Sequence, residues 1–187
     1  TPKAVTVKAN DASKMYGEND PKFTATVTGT LNEDKIEYKV TRPGAGTDEA
    51  VKTYEDAIIA AGDKEQGNYT VTYEPGDFTI NTNTTALALT AESGGGEYKG
   101  TAYYLNNVKA TLNGEDLKDA NIEYKVGDGE WTKEAPSATN VSDSLKNNIS
   151  VRVSLEGYQT VTINDLSIEV TPKAVTVKAN DASKMYG

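Results

Sequence analysis

The sequence predicts an all-β protein made of two tandem antiparallel β-sandwich modules, and three observations predict it. Apolar and polar residues alternate at period two in segment after segment, as they do on strands with one face against a core. Turn signals rich in Gly, Pro, Asn and Asp separate these segments at intervals of roughly 8 to 12 residues. The run Ile36-Glu37-Tyr38-Lys39-Val40 returns as Ile122-Glu123-Tyr124-Lys125-Val126, each time shortly after a Thr-Leu-Asn run, which divides the chain into two related halves.

Along the first half, Lys3 to Ala9 reads as a strand with Val5 and Val7 on the core face and Thr6 and Lys8 on the other. Phe23, Ala25 and Val27 repeat the pattern, as do Ile36, Tyr38 and Val40. Residues 47–62 allow two readings. Val51, Tyr54, Ile58 and Ala61 fall at helical spacing, with Thr47 as a cap, Asp48 and Glu49 in the first turn and Gly62 as a stop. Equally, Val51 to Tyr54 suits a short strand. Tyr69–Tyr73, the run Glu74-Pro75-Gly76-Asp77 and Phe78–Ile80 together predict a hairpin, with Pro75 and Gly76 placed for a type II turn.

The second half opens at Ala86–Ala91, whose pattern echoes Ala4–Ala9, after a short polar junction over Asn81–Thr85. Toward its end Ile149, Val151, Val153 and Leu155 alternate, Glu156-Gly157 marks a turn, and Val161, Ile163, Leu166, Ile168 and Val170 form the return strand. Asn164-Asp165 shifts that alternation by one residue, which predicts a β-bulge.

Residues 171–187 repeat residues 1–17 letter for letter, so one unit of 170 residues is followed by the opening of the next. The expected organisation is a module over 1–82, a second over 83–170, and over 171–187 the first strand of the next repeat. Short junctions make the expected array extended and stiff. Because a lone first strand lacks its module, 171–187 is expected to pack against the second module or a neighbouring molecule. The neighbouring identical repeats of the same chain are its expected partners.

The 187 residues include neither cysteine nor histidine, which excludes disulfides, thiolate zinc sites, the Ser-His-Asp and Cys-His arrangements and histidine metal sites. A formal net charge of −9 makes nucleic acid and anionic membrane surfaces poor partners. No apolar run reaches the roughly 18 residues of a membrane span, so no insertion by this segment is expected. The chain is read as not an enzyme.

Lys14-Met15-Tyr16-Gly17 at the end of the segment from Ala4, then Asp20-Pro21-Lys22-Phe23, Gly67-Asn68-Tyr69-Thr70-Val71-Thr72-Tyr73 and Phe78-Thr79-Ile80, resemble the MBG-type immunoglobulin-like repeat with its Lys-x-Tyr-Gly signature. The resemblance covers most of residues 1–80. Where the family has a glycine-rich approach to the middle strand, this chain has Asp48-Glu49-Ala50. Residues 86–170 resemble a divergent immunoglobulin-like module, with Tyr98-Lys99-Gly100 in the place of the Tyr-Gly element. The resemblance implies a tandem repeat of a bacterial cell-surface protein or adhesin, extracellular, with a part in spacing or adhesion and no catalytic residue.

Tyr16, Gly17, Asn68 and Tyr69 are therefore expected to be structural landmarks, with a tyrosine packed at a strand end and a glycine in a backbone conformation other residues avoid. Trp131 and the pair Tyr103-Tyr104 are the candidate ligand contacts, since exposed aromatics stack on sugars and bury large contact areas. No cofactor is expected. Calcium is the one the residues leave open, at Glu18-Asn19-Asp20 and at Glu115-Asp116 near Asp119, although neither cluster has the spacing of a 12-residue calcium loop. A lysine-to-asparagine crosslink is not expected, because Lys8 and Asn81 lie on the outward faces of their strands. The expected function is a stalk or spacer that projects a distal domain; the alternative is an adhesive module that binds host mucin, glycan or matrix protein.

Overall fold

A computed structural model of the chain describes residues 1–47 and 49–187 and is all-β. The first unit comprises residues 1–87 together with 155–159, and the second comprises 88–154 and 160–187.

In the first unit, β1 (Lys3–Ala9), β2 (Ala12–Met15), β3 (Ala25–Thr28), β4 (Lys39–Thr41), β5 (Lys52–Ala61), β6 (Glu65–Gln66), β7 (Tyr69–Glu74) and β8 (Gly76–Asn81) follow in order. They make two four-stranded sheets, β3-β1-β7-β6 and β2-β8-β5-β4. β1 lies inside its sheet, antiparallel to β3 and parallel to β7. The period-two pattern places Val5, Val7 and Ala9 inward, where they join Ile58, Ala60, Val71, Phe78 and Ile80 in one core. Phe23 packs edge-on against Phe78, ring centroids 5.7 Å apart. Each fully buried side chain of this size contributes roughly 1.5–3 kcal/mol, so this core is the main source of the unit's stability.

The expected hairpin over 69–80 is not one. β7 pairs with β1 in one sheet, while β8 pairs with β2 and β5 in the other. The chain changes sheets at Pro75, which has no N–H to give a ladder. Gly76 does not take the left-handed conformation of a type II turn; it runs as strand so close to β1 that a Cβ there would lie 2.6 Å from the Ala9 carbonyl oxygen.

Residues 52–61 form strand β5 rather than a helix. Tyr54 stands opposite Phe78 and Ile58 opposite Gly76, so five residues of β5 stand against three of β8. Asp56, at φ 51°, forms the bulge, and its N–H donates to the Asp77 carboxylate at 2.9 Å. The extra residues give Tyr54 and Ile58 the spacing of a helical turn, which is why the pattern admits both readings. Of the helix signals named above, Asp48 lies outside the described residues.

The second unit holds β9 (Leu87–Glu92) apart from its first residue, β10 (Gly94–Glu97), β11 (Asn106–Leu112), β12 (Glu115–Asp116), β13 (Asn121–Val126), β14 (Leu145–Ser154) and β15 (Val161–Thr171). Its sheets run β10-β15-β14-β13 and β12-β11-β9. Leu89, Ala110, Ala138, Ile149, Val151, Val153, Leu166, Ile168 and Val170 are buried. The bulge expected at Asn164-Asp165 is present: the four residues Ile163 to Leu166 of β15 stand against the three residues Val151 to Ile149 of β14, with Asp165 at φ 60°.

Beyond Thr171 the chain has no regular secondary structure, and residues 172–187 are exposed. The expected packing of 171–187 against the second module is not seen. In residues 1–17 the same sequence is held by β3, β7 and β8, whereas 172–187 pair with no strand among the described residues. Among the described residues no helix is long and apolar enough to cross a membrane.

Candidate functional site

Three groups of side chains in these units have the density of interactions that a functional site needs. In the first unit, the Tyr-Gly element closes β2. Tyr16 packs edge-on against Tyr158, centroids 5.4 Å apart, within the same unit because Leu155–Gln159 belong to it. Gly17, at φ 81°, lies under the Tyr158 hydroxyl, and a Cβ there would stand 2.5 Å from that oxygen. Gly157, at φ 82°, lies against the Tyr16 ring, where a Cβ would fall 2.3 Å from a ring carbon. Both positions combine a left-handed backbone with no room for a side chain, so only glycine fits.

Asn83 ties the element together, although it reads as part of a polar linker. It is 6% exposed, and its amide donates to the Tyr16 carbonyl at 3.0 Å while its side-chain oxygen accepts from the N–H groups of Thr85 and Ala86. Its backbone exchanges bonds with Gly157 and Gln159, 2.9 Å each. The other expected landmarks sit elsewhere in the unit. The Asn68 carbonyl accepts from the Lys3 N–H at 2.8 Å. The buried Tyr69 hydroxyl donates to Asp34 at 2.6 Å and accepts from the Leu31 N–H; bonding to the Asp34 carboxylate raises its pKa, since ionisation would set two anions together.

Beside Tyr16, among the residues lining a cavity of about 390 Å³, the charges of Lys14, Asp20, Arg42 and Glu49 meet. The Arg42 side chain is 2% exposed, donates two hydrogen bonds of 2.8 Å to Asp20 and one of 2.7 Å to Glu49, and lies 4.3 Å over the Phe78 ring. Lys14 pairs with Asp20 at 2.9 Å and with Glu49. The Arg42 bonds hold the Asp20 carboxyl below its usual range. Burial alone would push Glu49 up, but hydrogen bonds from Lys14, Arg42 and the Gly46 N–H outweigh it and bring its pKa down to about 2. Burial likewise opposes the charge on Lys14, and its bonds to Glu49 and Asp20 reverse the effect and raise its pKa. The set is two cations against two anions with bonds already made, an arrangement that pins loops. Asp20, a member of one acidic cluster considered for calcium, is committed here to Arg42 and Lys14. Asp116, from the other cluster, pairs with Lys109 at 2.6 Å.

In the second unit, Trp131 follows the turn after β13, and its neighbour Thr132 exchanges two backbone hydrogen bonds with Tyr124, 2.7 and 2.9 Å. The Arg152 guanidinium lies 4.3 Å over the Trp131 ring and is fixed by Glu123 at 2.9 Å; the Lys125 ammonium is 5.2 Å from the ring. A sugar approaching that face meets cations. The adjacent cavity, about 320 Å³, is walled by Tyr124, Val126 and Pro136 with Glu130 and Glu134, and Trp131 does not line it. Burial raises the pKa of Tyr124. Tyr103 is occupied: its backbone exchanges hydrogen bonds with Ala138, its hydroxyl donates to the Glu97 carbonyl at 2.8 Å, and Lys99 lies 4.0 Å over its ring. Tyr104, by contrast, is 53% exposed.

The arrangement offers packing, salt bridges and capped aromatics. Arg42, Glu49, Asn83 and Tyr158 escape a sequence reading because their partners are distant in sequence; a buried Arg announced by no periodic pattern gives no signal. Residues 5–79 match the family model of the MBG domain, YGX type. None of the curated proteins matches the chain.

Proposed function

Taking as premise that residues 5–79 are an MBG domain of the YGX type, we propose that the chain is a structural spacer repeat of a bacterial cell-surface protein, holding a distal functional domain away from the cell. The observation that carries this reading is the exact return of residues 1–17 at 171–187 in a chain of β units, since a spacer gains length simply by adding copies. Supporting it, the groups that would do chemistry are already engaged: the charged cluster is internally paired, Trp131 is covered by Arg152, and Tyr103 is bonded through its backbone and its hydroxyl. The reading makes the protein extracellular and non-catalytic, with neighbouring repeats of the same chain as its constant partners.

The second reading, adhesion to a host glycoprotein, mucin, glycan or matrix protein, is favoured by one observation: the exposure of Tyr98 and Tyr104, 41% and 53%, in the second unit. Binding of the chain to a panel of mucins, glycans and matrix proteins separates the two. The spacer reading expects no saturable binding. Saturable binding that is lost in Tyr104→Ala or Trp131→Ala overturns it.

A further inference from the structure

The loop after β13 encloses space that the core of the second unit does not fill. On β13, Tyr124 stands opposite the fully buried Val151 and Val126 opposite the fully buried Ile149. Yet Tyr124 is only half-buried and Val126 is 38% exposed, and both line the cavity of about 320 Å³ that the chain from Gly129 to Ser137 closes over without filling. That loop is pinned at two points. Thr132 exchanges two backbone hydrogen bonds with Tyr124, and Ala138 exchanges two with Tyr103, so the walls are in place before anything binds. The lining joins an apolar wall, Tyr124, Val126 and Pro136, to the exposed carboxylates of Glu130 and Glu134. Neither carboxylate makes an ion pair or a hydrogen bond among the described residues, and the Tyr124 hydroxyl makes no hydrogen bond among them. In the cavity beside Tyr16, Lys14 and Arg42 answer the acids; no lysine or arginine lines this one. Lys125 and Arg152 lie on the Trp131 ring, which is outside it.

We propose that this cavity binds an alkylammonium group, the end of a lysine side chain or of a free polyamine. The aliphatic stem lies along Tyr124, Val126 and Pro136, and the ammonium bonds Glu130 and Glu134. An ammonium carries three donors, enough for both carboxylates and the Tyr124 hydroxyl oxygen. The apolar wall makes the site more than a pair of surface acids, because it takes a stem out of water while the charge stays at the rim. The volume is at the lower end of small-ligand sites and has room for one such chain. A negative net charge favours the approach of cations. The inference goes beyond the spacer reading and does not rest on it. One amine in one cavity is a contact of about millimolar strength, too weak to retain a host glycoprotein on its own.

The test titrates the ¹⁵N-labelled 187-residue chain with Nα-acetyl-lysine methylamide and, separately, with cadaverine, and follows backbone amide shifts by NMR. Saturable shifts are expected at Val126, Gly129, Thr132 and Ser137, which line the cavity. The tighter of the two amines assigns the source, since the first carries the peptide flanks of a lysine and the second does not. Nα,Nε-diacetyl-lysine methylamide keeps the stem and loses the charge, and is expected to shift nothing there. Glu130→Gln with Glu134→Gln, both at exposed positions, is expected to weaken binding about tenfold or more, because hydrogen bonds to charged groups are lost. Glu65→Gln with Glu74→Gln, in the first unit, removes the same net charge and is expected to leave binding unchanged. Absence of shifts with both amines, equal shifts with the diacetylated compound, or equal losses in the two double variants overturns the proposal.

Discussion

Arg42 gathers residues that lie far apart in the chain: its guanidinium bonds Asp20 and Glu49 and covers Phe78, and Lys14 closes the cluster. Removing one charge from such a set leaves the opposite charges buried without their main partner, the costly way to break an ion pair. Arg42→Met is expected to lower the unfolding free energy by about 3 kcal/mol, read from urea denaturation. The same cluster sets a pH dependence. Glu49, with a pKa of about 2 in the fold against an ordinary value of 4.5, adds stability that is full above about pH 4.5 and is lost as pH falls toward 2; Asp20 acts in the same direction. Between about pH 5 and pH 2 the chain should lose stability steeply, and Glu49→Gln should flatten that slope while leaving the neutral-pH fold intact. Equal slopes in the two proteins would remove Glu49 from the account. None of this was legible in the sequence, where Glu18-Asn19-Asp20 reads as a solvated or calcium-binding loop and no pattern singles out Arg42. Tyr16-Gly17 was legible as an element, because a glycine at a strand end signals a special backbone. Its ring partner Tyr158 was not.

Among the elements, legibility follows how locally each strand is determined. β14 and β15 can be read because each carries its own alternation and the one-residue slip at Asn164-Asp165 is visible as a change of parity; the bulge found at Asp165 has that origin. Asp165→Val would force a β-branched residue to φ 60°, and a loss of about 1–2 kcal/mol is expected in thermal or urea unfolding. A change below the error of the measurement would mean that the bulge relocates. β5 is ambiguous because a bulge on one strand and a turn of helix produce the same four-residue spacing, and only the partner strand tells them apart. For β7 and β8 the turn residues do mark a change of direction, but pairing is not local. Which sheet each strand joins is decided by β1 and β5, far away along the chain.

At the scale of the whole molecule, the copy of the opening sequence makes an internal control. Tryptic digestion should cut after Lys173, Lys178 and Lys184 well before it cuts after Lys3, Lys8 or Lys14, although the local sequences are identical, because only the first copy has its backbone bonded into sheets. Mass spectrometry of the earliest products distinguishes the two sets by what remains attached. Simultaneous cleavage of both would mean that β1 and β2 open as readily as the tail. The all-β class was legible from the period-two pattern; the inclusion of residues 155–159 in the first unit was not, since nothing in Leu155-Glu156-Gly157-Tyr158-Gln159 distinguishes it from an ordinary turn. In both units an early strand lies parallel to a late one: β1 with β7 and β2 with β8 in the first, β10 with β15 in the second. A pull applied along the chain therefore slides these partners past each other, and every hydrogen bond of the ladder is strained at once, so that the unit yields as a seam in shear and not as a zip opened from one end.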